Sequence, residues 1–120
     1  AAALLTEGGA CVIRIPTVSS YAWEHYREYW YQIDAPRHAI IPSLKGMDIL
    51  SKKAGLKLSG VMFDSTLEQF KISECYKQGV RFGDTRGVFS SRQLRSWKKQ
   101  ARELNRAGKG DQAVFTLKKE

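Results

Sequence analysis

Three residues that can carry acid–base and anion chemistry lie in one short segment, Asp34-Ala-Pro-Arg-His38. Pro36 stiffens this segment because its ring fixes the backbone φ angle. The guanidinium of Arg37 can hold an anion through two parallel hydrogen bonds, and His38 can remove a proton near neutral pH. The pattern predicts a substrate site with His38 as general base, Arg37 as anchor and Asp34 beside them. An equally weighted interpretation is that Asp34 and Arg37 pair with each other while His38 caps a backbone group.

The connection before this segment is rich in aromatic residues: Tyr21, Trp23, Tyr26, Tyr29, Trp30 and Tyr31. Long connections of this kind are usually functional or partly helical, and we predict a short helix within 21–31. Tyr21, Trp23 and Tyr26 are the predicted substrate-binding aromatics. The alternative is that they form a lid packed on the core, since aromatic side chains bury large areas in any case.

Other common chemistries have no pattern in this sequence. His25 and His38 are thirteen residues apart without a supporting cysteine cluster, so no metal site is expected. Gly108-Lys-Gly110 follows a predicted helix and precedes a predicted strand, which is the reverse of a phosphate-binding loop. Cys11 and Cys75 are isolated, which favours a reduced, cytoplasmic chain, with one disulfide as the alternative. No apolar run approaches the ~20 residues of a membrane span, so no membrane partner is expected.

Positive charge is concentrated at one end of the chain. The net charge is +8, and residues 81–120 supply +7 of it. A basic region of this kind can attract nucleic acid, anionic lipid or phosphorylated substrates. We favour a solvated helix face, because the cations are not interleaved with exposed aromatics and no DNA-binding motif accompanies them. Nucleic acid is therefore an unlikely partner on this interpretation.

Hydrophobic periodicity predicts an α/β chain of 120 residues with six main elements. The strands are expected at about 11–15, 57–64 and 112–118, and the helices at about 43–54, 66–76 and 90–107. A bulge is expected at Ser59-Gly60, where the alternation breaks. The first strand is an almost continuous apolar run, typical of a strand buried on both faces. We therefore interpret residues 1–120 as a single partial domain, the back part of a larger α/β domain.

Several segments together resemble one enzyme family. Leu5 to Pro16 is similar to the region around the fifth strand of class I S-adenosylmethionine-dependent methyltransferases. The segment 34–38, Pro42-Ser43 and the helix ending in Ala54-Gly55-Leu56 resemble a stretch found in a bacterial branch of that family, which usually has Phe where this chain has Leu56. Residues 111–118 resemble the family's closing strand. The resemblance covers nearly all of this chain but only the rear half of the family's domain.

The resemblance implies the rear half of a Rossmann-like fold, with a small mixed sheet in which the three strands are the fifth, sixth and seventh. The last strand would run antiparallel between the other two. It also implies methyl transfer from S-adenosylmethionine to an oxygen, nitrogen or carbon nucleophile. Separately, Arg37 and the basic C-terminal third of the chain favour an acidic or phosphorylated acceptor, either a small molecule or a glycan. The family's glycine-rich loop and ribose-binding acidic residue have no counterpart here, so the cofactor-binding residues are unknown. The chain alone is expected to be inactive.

Two other function classes stay open. A small basic module would bind nucleic acid or an anionic glycan through Arg92 to Arg106, with a steep loss of affinity in salt. A structural or interaction domain would form a homo-oligomer through an exposed sheet edge.

Overall fold

A computed structural model describes residues 1–119. Its main elements are β1 (Ala10–Pro16), α1 (Tyr21–Tyr26), α2 (Leu44–Lys53), β2 (Leu56–Phe63), α3 (Glu68–Lys77), α4 (Ser91–Arg106) and β3 (Gln112–Lys119). Short 3-10 turns cover Ala2–Leu4, Arg27–Tyr29, Tyr31–Ile33 and Phe82–Asp84. The three strands and three helices expected from the sequence are all present, each within two residues of its predicted ends. The short helix expected within 21–31 is α1.

The three strands form one sheet in the order β1-β3-β2. β3 is antiparallel to both neighbours, so β1 and β2 run in the same direction on either side of it. The expected position and direction of the last strand are therefore confirmed. The ladders among residues 1–119 are all antiparallel, so the sheet is not mixed in its hydrogen bonding. The predicted bulge is also present, as a register shift between Leu58 and Gly60.

Serine caps fix where α1, α2 and α4 begin. The Ser43 hydroxyl accepts a hydrogen bond from the Gly46 amide at 2.9 Å at the start of α2. The Ser90 hydroxyl accepts one from the Gln93 amide at 3.2 Å at the start of α4. Each bond satisfies a helix-end amide that has no partner within its helix. α3 lacks such a cap and begins two residues later than predicted.

Two separate apolar clusters hold these elements together. α2 covers one face of the sheet, where Met47, Ala113 and Phe115 are buried. The second cluster joins α1, α3 and α4 beyond the end of the sheet, and its buried members are Ala22, Tyr26, Trp30, Phe70 and Ala101. The aromatic connection therefore packs where β1 and β2 have their carboxyl ends. No helix among residues 1–119 has the length and apolar character needed to cross a membrane.

Burial of β1 on both faces is not observed in this chain. β1 is an edge strand, and Val12 on its uncovered face is 63% exposed. Cys11, Ile13 and Ile15 face α2 and are only half-buried. The reason is that β1 pairs with β3 alone and α2 covers one face only.

Candidate functional site

The 34–38 segment forms a tight turn that directly follows the 3-10 turn Tyr31–Ile33. Asp34 adopts a left-handed backbone conformation (φ +36°), and its carbonyl accepts a hydrogen bond from the Arg37 amide at 2.8 Å. The Arg37 Nε also pairs with Asp34 Oδ2 at 3.1 Å, with both side chains largely exposed. The predicted alternative, a pair between these two residues, is therefore what the structure contains. Exposed pairs of this kind are weak, so an anionic ligand can compete for the guanidinium.

His38 has a defined proton arrangement. Its Nδ1 lies 2.7 Å from the main-chain oxygen of Gln32. A carbonyl oxygen only accepts, so Nδ1 carries the hydrogen, and Nε2 of the neutral ring carries the lone pair. The contact satisfies the predicted backbone cap, and it also leaves Nε2 able to act as a base.

A cavity of about 480 Å³ brings these residues together. It is lined by Tyr31, Gln32, Asp34, Arg37, His38, Tyr76 and Phe82. Its size is in the range of small-molecule sites. Sequence reasoning predicted Asp34, Arg37 and His38 but missed the other four. The sequence indicates Tyr31 as one of the clustered aromatics. Tyr76 and Phe82 reach the cavity through tertiary packing, which no local sequence pattern indicates.

A chain of hydrogen bonds connects the cavity wall to the sheet. The Gln32 side-chain amide donates to the Tyr31 hydroxyl at 3.1 Å and to Gln112 Oε1 at 3.5 Å. Gln112 donates in turn to Asp64 at 3.1 Å, and Arg14 donates to the same carboxylate at 2.6 Å. These groups fix the back of the cavity at the carboxyl ends of β1 and β2, where ligands usually bind in open α/β sheets.

Tyr31 contributes hydrogen bonding to this cavity, not proton transfer. Burial raises the pKa of its phenol, and the nearby Asp111 carboxylate raises it further. Tyr31 therefore stays neutral throughout the pH range in which His38 can act. Tyr31 is therefore not a competing base in the cavity, and the assignment of the base to His38 stays a prediction.

The three predicted substrate-binding aromatics lie elsewhere. Tyr26 is buried in the cluster of α1, α3 and α4, and Tyr21 and Trp23 pack against that cluster. Tyr21 lies 6.2 Å from Phe70 between ring centroids, and Trp23 lies 6.0 Å from Trp30. The structure thus places them as a packed lid and does not bring them together with Arg37 and His38. Their contact with substrate stays a prediction.

Asp111 ties the aromatic segment to the sheet and was not singled out by sequence reasoning. It is 1% exposed, and its carboxylate accepts a hydrogen bond from Trp30 Nε1 at 3.1 Å. Burial raises the pKa of this carboxyl, while hydrogen bonds from Ser65 and Trp30 oppose the rise. The Thr17 amide donates to the Asp111 main-chain oxygen at 3.0 Å. The only advance signal was its position just before the last strand.

Gly110 makes close packing possible beside Asp111. A Cβ at this position would collide with Asn105 Oδ1 and would lie 2.7 Å from the Ser65 hydroxyl. Asn105 needs that place because its amide group bonds both the Ser65 amide, at 3.0 Å, and the Ser65 carbonyl, at 2.9 Å. This pair joins α4 to the segment that follows β2.

The residues present do not fit a complete site for a metal ion or for S-adenosylmethionine. Among residues 1–119, no three acidic, histidine or cysteine side chains lie close enough to hold a metal ion. Asp34 is the one carboxylate lining the cavity, and Arg37 already pairs with it. To hold a ribose, Asp34 would first have to release Arg37. Cys11 and Cys75 are both free thiols in this structure, which does not contain the disulfide considered as an alternative.

Comparisons with protein-family models, with curated proteins and with solved structures find no match to this chain.

Proposed function

We propose that this chain is the C-terminal, substrate-side part of an S-adenosylmethionine-dependent methyltransferase of class I. The observation that carries the proposal is the strand order. β3 lies antiparallel between two strands of common direction, which is the arrangement that the sequence resemblance implies. Cofactor binding is assigned to a separate N-terminal part, because the family's glycine-rich loop and ribose-binding acidic residue have no counterpart in this sequence.

Uncovered surfaces support the proposal that this chain is part of a larger domain. The outer edge of β1 has no strand partner within residues 1–119. Beside it lies an apolar groove of about 330 Å³, whose walls include Cys11, Ile13, Ile15, Ile40 and Leu50. The radius of gyration is 16.2 Å, against about 13.6 Å for a compact domain of this length. Further polypeptide packed on this side would cover the groove.

The proposed role of the cavity is to hold the methyl acceptor. Methyl transfer requires a nucleophile held in line with the methyl group and the removal of its proton. His38 Nε2 takes that proton, while the Gln32 carbonyl holds the ring through Nδ1. Arg37 binds an acidic group of the acceptor in exchange for Asp34. The aromatic walls at Tyr76 and Phe82 suit the flat, less polar side of a small molecule or a sugar.

Calorimetric titration with S-adenosylhomocysteine tests the proposal. We expect no binding to the 120-residue chain, and binding to a longer protein that includes the region encoded upstream. A circular dichroism spectrum with helix and strand signals serves as the control that the short chain is folded. Tight binding by the 120 residues alone would contradict the proposal, because the cofactor site would then lie within this chain.

The role of His38 can be separated from that of Arg37 in the longer protein. We expect His38→Gln to lower kcat by roughly 10²- to 10⁴-fold, the usual contribution of a general base, with little change in cofactor affinity. Arg37→Lys should mainly raise the KM for an acidic acceptor, because the bidentate contact is lost. His25→Gln is the matched control, since His25 lies outside the cavity. Full activity of the His38 variant would remove His38 from the mechanism.

A further inference from the structure

The outer surface of α4 carries a continuous stripe of positive charge. At 3.6 residues per turn, six cations fall within an arc of about 120°: Arg92, Arg95, Lys98, Lys99, Arg102 and Arg106. All six are exposed. The apolar residues of the same helix lie on the opposite side. Trp97, Ala101 and Leu104 pack in the cluster of α1, α3 and α4, and Leu94 is half-buried. We refer to the six cations as the α4 stripe.

The α4 stripe is not balanced by acidic groups of the same molecule. Within residues 1–119, Lys99 alone among the six has an ion pair, at 3.8 Å from Glu103. Like charges three and four residues apart destabilise a helix, and several such pairs follow one another along the stripe. Arg92 and Arg95 also lie near the helix N-terminus, where the dipole disfavours cations, and the first turn contains no acidic residue. An external polyanion would relieve all of these repulsions.

We propose that the α4 stripe binds the phosphate backbone of a nucleic-acid duplex without sequence preference. The stripe spans 14 helical steps, or about 21 Å. One duplex strand carries about six phosphates over that length, at ~3.4 Å per phosphate along the axis. The six cations therefore match one strand in charge density. Four of them are arginines, whose planar guanidinium binds phosphate through two hydrogen bonds.

The absence of exposed aromatics from the stripe is consistent with this partner. Aromatic side chains stack on the bases of single strands, whereas backbone contacts position a protein on a duplex and need only donors and positive charge. The sequence argument against nucleic acid therefore applies to base recognition and not to this surface. A membrane is the less suitable partner, because the apolar face of α4 is already packed: Trp97 stacks on Phe70 at 6.1 Å between centroids.

Fluorescence anisotropy with a labelled duplex of about two helical turns and mixed sequence tests the inference. The full 120-residue chain is titrated at several salt concentrations. Contacts to five or six phosphates predict a slope of log K against log salt of about −5. A slope near zero would overturn the proposal, as would markedly tighter binding to a single strand than to the duplex.

Charge-reversal variants locate the contact. We expect Arg95→Glu with Arg102→Glu to weaken duplex binding at least tenfold and to flatten the salt slope. The matched control, Lys45→Glu with Lys118→Glu, makes the same change in net charge at exposed positions outside α4, and it should weaken binding less than threefold. Equal losses in both proteins would show general charge attraction and would overturn the proposal.

Two further measurements complete the test. If the reversed variant loses its helix signal by circular dichroism, the milder pair Arg95→Gln with Arg102→Gln replaces it, and the same ordering of affinities is expected. Vesicles containing phosphatidylserine are titrated in parallel at equal salt. Tighter binding to vesicles than to the duplex would assign the stripe to a lipid surface and contradict the inference. The outcome is independent of cofactor binding, so it does not depend on the proposed methyltransferase function.

Discussion

At the scale of single residues, Asp111 joins the aromatic segment to the sheet through both its side chain and its main chain. Trp30 donates to its carboxylate, and the Thr17 amide donates to its carbonyl. The carboxyl is buried, and this burial raises its pKa. When the pKa of a carboxyl is higher in the folded state than in the unfolded state, the carboxyl stabilises the fold. Its full contribution to the free energy of unfolding is present below the unfolded-state pKa of about 3.9. That contribution is lost as the pH rises through the native pKa.

Two substitutions of Asp111 separate its hydrogen bonding from its charge. We expect Asp111→Ala to lower the free energy of unfolding by about 1–3 kcal/mol, because the Trp30 indole loses its buried acceptor. Asp111→Asn keeps an acceptor without a charge, so it should match or exceed the wild type at pH 7. Urea unfolding followed by Trp fluorescence measures both differences.

The pH dependence provides the control for that experiment. The advantage of Asp111→Asn over the wild type should be larger at pH 7 than at pH 4, because above about pH 3.9 the unfolded-state carboxyl ionises more readily than the buried one, which lowers the stability of the wild type alone. An advantage that is constant with pH would show that the pKa of Asp111 is not higher in the folded state than in the unfolded state.

Residue chemistry could be predicted from the sequence where the residues are neighbours in the chain. The sequence predicts Arg37 as an anion-binding group and His38 as a proton acceptor, because a single turn contains both. Tyr76 and Phe82 enter the same cavity from α3 and the loop after it, and nothing in their local sequence indicates that contact. Asp111 was missed for the same reason, since its partner Trp30 lies 81 positions away in the chain.

At the scale of elements, the helices were predictable because their ends are chemically marked. Two serines serve the start of α2: the Ser43 hydroxyl accepts from the Gly46 amide, and the Ser19 hydroxyl accepts from the Leu44 amide at 3.0 Å. The first contact follows from the sequence, because a serine before an apolar-periodic run is a common N-cap. The second comes from a residue 25 positions earlier and depends on how the aromatic segment folds back.

Removal of the local cap tests its contribution to the element. We expect Ser43→Ala to lower the free energy of unfolding by about 1 kcal/mol, the typical value of an N-cap. Ser43→Asp should retain stability, since aspartate accepts the same hydrogen bond and its charge is favourable at a helix N-terminus. Ser96→Ala, at an exposed position inside α4, is the control and should change stability by less than ~0.5 kcal/mol. A loss for Ser43→Asp equal to that for Ser43→Ala would show that the cap is not the cause.

β1 shows where element prediction from the sequence fails. Its apolar pattern predicts a strand with neighbours on both faces, but in this chain Val12 lies on an uncovered face. An apolar pattern indicates how much burial a strand is suited to. The burial that it reaches depends on which other elements pack against it. Together with the apolar groove beside it, this mismatch supports the interpretation of a partial domain.

At the scale of the whole molecule, the two edges of the sheet differ in how well they are protected. β2 has a bulge at Leu58–Gly60 and a lysine at position 57, and both features discourage edge-to-edge pairing. β1 has an unbroken register along its whole length and one charged side chain, Arg14. An isolated chain that exposes such an edge is expected to pair through it.

We therefore expect the 120-residue chain to self-associate through β1 at high concentration. Pairing of two β1 edges would bring the exposed Val12 side chains near the joint between the copies, so a positive charge there should repel its counterpart. Val12→Lys is expected to weaken association about tenfold, or ~1.4 kcal/mol, in sedimentation velocity runs over a range of concentrations. Val88→Lys makes the same change in a loop outside the sheet and should leave association unaltered.

A wild-type chain that stays monomeric at the highest concentrations, or equal weakening by both variants, would contradict pairing through β1. The same runs on the longer protein give a separate result. If that protein does not self-associate, and if its Val12→Lys variant behaves like the wild type, the N-terminal part already covers this edge.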